Sequence, residues 1–410
     1  MFAYMFKSAL LAPLLGAVVC AHTAFTTLYV DGTNQGDGVC VRMNRNSSNT
    51  NFPIEPLSSK DIVCGYEGER GVARVCPAKE DSILTFEFRE HADGSRPGSI
   101  DPSHKGPCAV YMKKVDDAAA SNNAAGDGWF KIWESTYDDN AGKWCTEKMI
   151  DNNGHISVKI PQGIQGGYYL VRPELLALHA AQNNPPDPQF YVGCAQIFLQ
   201  SSGTAQPPTV SIDEGTYNLS IPGMTYNIYA TPLALPYPMY GPPVYTPTAS
   251  PSATSSANAA VAATELPACS LPAAKRSNDN DSGLERRGEQ VQKVGLEPAG
   301  CILQRDNWCA FEVPDYTTQD GCWQSSSACW NQSKACWDIN SPVDYPHCKI
   351  WDTKCHDIDD NCSNNNWVGP PNKGKVLTPA LPPLDGSMAV FSRSLPAMKH
   401  VGRYRRRHGM

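Results

Sequence analysis

Past its opening segment, this chain has no apolar run approaching the ~18 residues of a membrane span, so no spanning helix is expected there. Its 16 cysteines include no Cys-x-x-Cys, which argues against zinc ribbons and thioredoxin-like redox motifs. Charge is sparse: 18% of residues carry it, with a formal net of −7. A nucleic-acid partner for the whole chain is therefore excluded, although the end, Arg403-Tyr404-Arg405-Arg406-Arg407-His408, is locally basic. Long amphipathic helical patterns are missing from the first half. Parallel α/β units need such helices between their strands, so they are not expected.

The opening segment has the order of a secretory leader, taken as residues 1–21. Lys7 is the positive n-region, Ser8–Val19 the short apolar run, and Val19-Cys20-Ala21 a small-residue cleavage site,. Cleavage after Ala21 would make His22 the first residue of a secreted, extracellular protein. A terminal histidine offers one metal two nitrogens, its imidazole and an α-amine of pKa about 7.7–8.0. An oxidising compartment also suits the cysteine count. Five Asn-x-Ser/Thr sequons, at Asn46, Asn218, Asn280, Asn331 and Asn361, agree with a glycoprotein,.

From His22 to about Thr231, short alternating segments are separated by Gly, Pro, Asn and Asp. In Ser82–Glu90, Leu84, Phe86 and Phe88 alternate with Thr85, Glu87 and Arg89, the period-2 pattern of a strand with one buried face. Ala109–Val115 and His155–Ile160 alternate likewise, and Tyr168–Arg172 and Phe190–Gln200 read as further strands. Pro173–Ala181 reads as one helical turn or two. The expected fold is all-β: an immunoglobulin- or fibronectin-like β-sandwich with long loops.

Residues 232–300 turn Pro/Tyr-rich, then Ala/Ser/Thr-rich, then charged, the composition of a linker. Its dibasic pairs, Lys275-Arg276 and Arg286-Arg287, read first as solvated charges and second as protease sites. A small Cys/Trp-rich module follows at 301–362, and the tail 363–410 is expected to be disordered. Within the module, Cys322-Trp323, Cys329-Trp330 and Cys336-Trp337 recur every seven residues. That interval spans about two helical turns and would place the pairs on one helix face. The module's tryptophans could stack on sugar rings, with burial in a small disulfide-rich core the favoured use.

Without the leader, 15 cysteines remain: six before the linker, eight from Cys301 onward, and Cys269 between them. Even counts on both sides favour disulfide frameworks with Cys269 left over. A zinc site using His347-Cys348 and Cys355-His356 is the competing, less favoured reading. A module this small needs such staples if it folds alone.

Three histidines stand out by context. His22 opens the mature chain, His104 lies in Ser103-His104-Lys105-Gly106-Pro107, and His179 ends Leu176-Ala177-Leu178-His179. Downstream come Gln189-Phe190-Tyr191, Cys194-Ala195-Gln196-Ile197, and Ile221-Pro222-Gly223 leading to Tyr226-Asn227-Ile228-Tyr229. Upstream are Val30-Asp31-Gly32, Gln35-Gly36-Asp37-Gly38 and Asp61-Ile62-Val63-Cys64. Singly, each histidine would be an ordinary loop or core residue. Together and in this order they resemble the lytic polysaccharide monooxygenases of auxiliary activity family 9, over about residues 22–231. The resemblance implies that His22 and His104 ligate copper in a histidine brace with Tyr191 axial. It assigns His179 and Gln189 to positioning the oxygen species, Tyr217 to an exposed substrate-stacking aromatic, and Cys64 and Cys194 to a shared disulfide. Cys40, Cys76, Cys108 and Cys145 could then pair in three ways.

Such a protein would oxidatively cleave cellulose or a related β-glucan at carbon 1 and/or carbon 4. It would use one copper ion, an external small-molecule or enzymatic reductant, and oxygen or hydrogen peroxide. Nitrogen donors suit copper, which heads the divalent affinity order. Two rival readings are a copper-binding or scavenging surface protein with the same brace and no polysaccharide cleavage, and a structural carbohydrate-binding protein.

Overall fold

A computed structural model describes residues 22–247, 291–339, 341–343 and 346–390. The leader, Cys269, Asn280, both dibasic pairs and the basic end lie outside the described residues.

Eleven strands build the main body among the described residues. They are β1 (Ala24–Val30), β2 (Thr33–Asp37), β3 (Cys76–Lys79), β4 (Ile83–Arg89), β5 (Cys108–Val115) and β6 (Gly126–Ser135). After them come β7 (His155–Lys159), β8 (Gln165–Ala177), β9 (Gln189–Val192), β10 (Ala195–Ser202) and β11 (Val210–Ile212). One sheet has the order β2-β1-β4-β7. The other runs β11-β6-β5-β8-β10-β3, with β9 added on β8. Among the described strands, only the β3–β10 pair runs parallel. The all-β sandwich expected from alternation is present.

The packing follows from that alternation. Phe25, Leu28, Leu84, Phe86 and Phe88 of the smaller sheet meet Val110, Met112, Ile132, Val171 and Ile197 of the larger one in the central core. The intervening residues of the larger sheet are apolar too. Ala109, Tyr111, Trp129, Leu170, Leu176, Phe190 and Phe198 form a second core on its outer face, roofed by Trp144, Tyr217, Tyr226, Tyr237 and Tyr240. A sheet covered on both faces loses its polar/apolar alternation. Pro173–Ala177, expected to open a helical turn, instead ends strand β8, whose Glu174–Ala177 pairs with β9, and a turn follows only from Leu178, where Ala181 N donates to Leu178 O at 3.1 Å.

The same roof shifts the expected boundary of the sandwich. Tyr237, Tyr240 and Tyr245 pack on it, so its chain runs past Thr231 and the linker starts later than composition indicated. At the linker's far end, the Tyr168 hydroxyl accepts from the amides of Lys293 and Val294, at 2.9 and 2.8 Å.

Cys40–Cys76, Cys64–Cys194 and Cys108–Cys145 are the sandwich disulfides. The last pins helix α1 (Cys145–Asp151) to the start of β5. In the module, hairpin β12 (Cys301–Arg305) and β13 (Trp308–Phe311) precedes two antiparallel helices, α2 (Gln319–Trp337) and α3 (Pro346–Ser363). Thr318 caps α2, its hydroxyl accepting from Gly321 N at 3.2 Å. Three rungs join the helices, Cys322–Cys362, Cys329–Cys355 and Cys336–Cys348, and Cys301–Cys309 closes the hairpin. Cys348 and Cys355 are thereby committed to disulfides rather than zinc.

The tail differs from its expectation as far as Val390. Leu377 packs on the module's core, and the carbonyls of Pro382, Asp385 and Ser387 accept from Asn34, Asn153 and Asn152 of the sandwich at 2.8–3.0 Å.

Candidate metal centre

Four sandwich segments converge at one end. His22 precedes β1, His104 lies in the loop before β5, His179 follows β8, and Gln189 and Tyr191 sit on β9. On β9, residues two apart share a face, so Gln189 and Tyr191 point together while Phe190 enters the outer core. The His104 loop is stitched to neighbouring backbone. Leu178 N donates to Lys105 O at 2.9 Å, Leu176 N to Pro107 O at 3.0 Å, and Gly106 N to Thr146 Oγ1 at 3.0 Å. Gly106 is required by close approach, because a Cβ there would lie 1.8 Å from Leu176 O.

The ring centroids of His22 and His104 are 6.3 Å apart, and Tyr191 lies 6.1 Å from His22 and 6.0 Å from His104. His179 is tilted against His104 at 4.1 Å. Tyr191 is buried and its hydroxyl donates to Gln189 Oε1 at 3.0 Å, while Gln189 Nε2 donates to Asp187 at 2.9 Å. His104 is 4% exposed. Its Nδ1 lies 3.2 Å from the Ser103 hydroxyl, whereas its Nε2 is buried with no hydrogen-bond partner.

Burial, reinforced by the neighbouring His179 and His22, lowers the His104 pKa to about 4. Burial is also the first cause for His22, with His179 adding to it, and burial lowers His179 against the pull of Asp187 and Asp101. The three imidazoles therefore favour the neutral, ligating form at neutral pH. A buried nitrogen without a partner is costly unless something binds it. Neutral nitrogen donors suit copper, so the residues fit that ion. Among the described residues no group of three His, Cys, Asp or Glu side chains has metal-holding geometry. A brace does not require one, since its third nitrogen is an α-amine. That amine exists only after cleavage, because His22 in the uncut chain is joined to Ala21 by a peptide bond.

The disulfide implied for Cys64 and Cys194 is present, and it ties the turn after Lys60–Ile62 to the β9–β10 junction. Arg172 braces the same turn, donating to Val63 O at 2.6 Å and Ile62 O at 2.8 Å.

Tyr217 is not where the resemblance put it. It is 3% exposed, stacks on Phe190 at 4.6 Å, and donates to Glu174 at 2.9 Å. Glu174 and its ion-pair partner Arg172 are both buried, and such a pair needs further donors for its remaining lone pairs. Tyr217 supplies one such donor, to the oxygen that Arg172 also reaches, and cannot stack on an external ligand. Two exposed aromatics do stand beside the histidines: Tyr229, 63% accessible with its hydroxyl 3.3 Å from His179 O, and Phe52, 41% accessible and 4.9 Å from the His22 ring. Alternation would have revealed Tyr229: Tyr226 and Ile228 are buried while Asn227 and Tyr229 are exposed. Nothing comparable marks Phe52.

The chain is similar to several known proteins. Residues 22–237 match the family model for Auxiliary Activity family 9 (formerly GH61). The chain is 58% identical over 395 residues to AA9 family lytic polysaccharide monooxygenase C of Aspergillus tamarii, covering 96% of this chain and 99% of that protein. It is 55% identical over 386 residues to AA9 family lytic polysaccharide monooxygenase A of Emericella nidulans, covering 94% of this chain but only 63% of that longer protein. The solved structure of CvAA9A aligns with 55% of this chain and 98% of its own, at 30% identity and TM-score 0.48.

Proposed function

The chain belongs to auxiliary activity family 9, the copper-dependent lytic polysaccharide monooxygenases, and from that premise we propose that it cleaves cellulose or a related β-glucan outside the cell. Oxidation would fall at carbon 1 and/or carbon 4, with an external reductant and oxygen or hydrogen peroxide consumed. The observation that carries the site assignment is the buried, unpartnered Nε2 of His104 beside His22 and Tyr191.

In this reading, His22 supplies imidazole and α-amine nitrogens after leader removal, and His104 supplies its Nε2. Copper held there supplies one-electron redox chemistry with an oxygen co-substrate. Ser103 fixes the His104 ring through Nδ1, so Nε2 remains the ligating nitrogen. Tyr191 is held by Gln189, which is itself held by Asp187, so the phenol has a fixed orientation beside the two histidines that would hold the ion. His179, kept neutral by burial, can pass a proton in either direction,. Tyr229 and Phe52 flank the histidines with exposed ring faces suited to the apolar faces of a sugar chain.

The test uses secreted protein with its N-terminus sequenced. Loaded with copper and given ascorbate, it should release oxidised oligosaccharides from cellulose, xyloglucan or mixed-linkage glucan. Tight copper binding with no product from any of the three would favour the scavenging alternative. A mature chain starting elsewhere than His22 would remove the α-amine and sink the brace.

A further inference from the structure

Along α2, Trp323, Trp330 and Trp337 recur at intervals of seven while Cys322, Cys329 and Cys336 turn inward to α3. The ring at each end is exposed, 42% for Trp323 and 41% for Trp337, and Trp330 between them is half-buried. Two of the three indoles are held by hydrogen bonds. Trp330 Nε1 donates to Asp359 at 2.9 Å and Trp337 Nε1 to Asp352 at 3.1 Å. Those carboxylates are themselves seven residues apart on α3, and they accept from Ser326 and Ser333 of α2. The result is a ridge of aromatic faces in which the Trp330 and Trp337 rings are pre-oriented, so that much of the entropy of placing them is already lost on folding,.

Seven residues of helix rise ~10.5 Å, close to the disaccharide repeat of an extended β-1,4-linked chain. The period also drifts by ~20° per heptad, so the third ring is turned from the first by about 40°. A flat crystal face would meet one ring and miss the others, whereas a single twisting chain can follow all three. Within α2 and α3, five aspartates stand against three lysines, which disfavours polyanions such as pectate and leaves neutral sugars. The module is fastened to a polysaccharide-active domain through the Arg45–Asp306 pair, so its ridge travels with that domain to any glucan.

We propose that the Trp323–Trp330–Trp337 ridge is a binding site for a single, amorphous β-1,4-glucan chain, separate from the metal centre. Each indole stacks on every second sugar along the chain. Asn331 of a sequon lies one residue beyond Trp330, about 100° round the helix from the ridge, so a glycan there would border the ridge without occupying it.

The experiment uses the full-length chain, metal-stripped and enzymatically deglycosylated, so that cleavage plays no part. Replacing Trp323→Ala with Trp337→Ala should lower partition onto swollen amorphous cellulose by at least about tenfold. Trp323→Phe with Trp337→Phe should restore most of the loss, and the double alanine variant, once reloaded with copper, should keep unchanged activity on soluble oligosaccharides. In the unmutated protein, cellohexaose should protect Trp323 and Trp337 from hydroxyl-radical labelling, a readout that needs no variant to fold. Unchanged partition, unprotected tryptophans, or equal retention on polygalacturonate would each overturn the proposal. So would dimers by sedimentation that the double alanine variant renders monomeric, because the ridge would then be a self-association seam.

Discussion

The proposed role of His104 as a ligand rests on one contrast with an ordinary core ring. A core histidine normally satisfies both ring nitrogens, yet here Nδ1 is placed by Ser103 and Nε2 has no partner. His104→Ala should reduce copper affinity by orders of magnitude in calorimetry on the processed protein, while thermal stability in the absence of metal changes little. Loss of stability without loss of copper binding would mark the ring as structural. The two tyrosines make a second residue-level contrast. Tyr217→Phe removes one of the two donors to a buried Glu174 oxygen, leaving only Arg172 there, and should cost about 1–3 kcal/mol in denaturant melts, with affinity for glucan unchanged. Tyr229→Ala should do the reverse, weakening glucan binding several-fold at constant stability. The proposed ligand set rests on an expected leader and on motif order, both carried by residue types alone. Tyr217 was misassigned because exposure depends on what buried Glu174 requires across the sheet, and chain order does not record that need.

At the scale of elements, β4 was legible and the end of β8 was not, for one reason. Leu84, Phe86 and Phe88 enter the core while Glu87 and Arg89 point the other way, so period two is visible. β8 has apolar neighbours on both faces and carries Pro173 opposite Val110 in mid-sheet, where proline argues against a strand. The polar side of β4 has an energetic role. Burial alone would raise the Glu87 pKa, but His155, Arg89 and Tyr29 around it prevail and hold it at about 2 against 4.5. A carboxylate depressed in this way stabilises the fold above its unfolded pKa, and that contribution disappears as pH falls from about 4.5 through about 2. At full value it amounts to roughly 3 kcal/mol. Glu87→Gln should therefore lower stability at neutral pH and flatten the acid limb over this window in chemical denaturation. An unchanged slope there would assign the acid sensitivity to other carboxylates.

At the scale of the whole molecule, composition located a Cys-rich module but left open whether it hangs free on its tether. It is docked. Val343, between α2 and α3, lies in the central core cluster, and Asn307 donates to Gly38 O and accepts from Arg74 N, both at 2.9 Å. Asp306 receives two bonds from the Arg45 guanidinium, at 2.6 and 3.2 Å, with its own side chain fully buried and that of Arg45 22% exposed. Long-range partners of this kind, 261 residues apart, leave no periodic trace for a sequence to reveal. The unequal burial makes the pair asymmetric. Removing Arg45 abandons a charge that water cannot reach, which costs about 3–5 kcal/mol. Neutralising Asp306 leaves a guanidinium at the rim, where water partly replaces the lost partner. Arg45→Ala should thus weaken docking far more than Asp306→Asn, and pairing Arg45→Ala with Asp306→Asn should recover much of the loss. Hydrogen exchange at β12 and at residues 38–45 reads this directly, because undocking exposes both together. Equal effects of the two single changes would mean that the charge pair does not govern how the module is held.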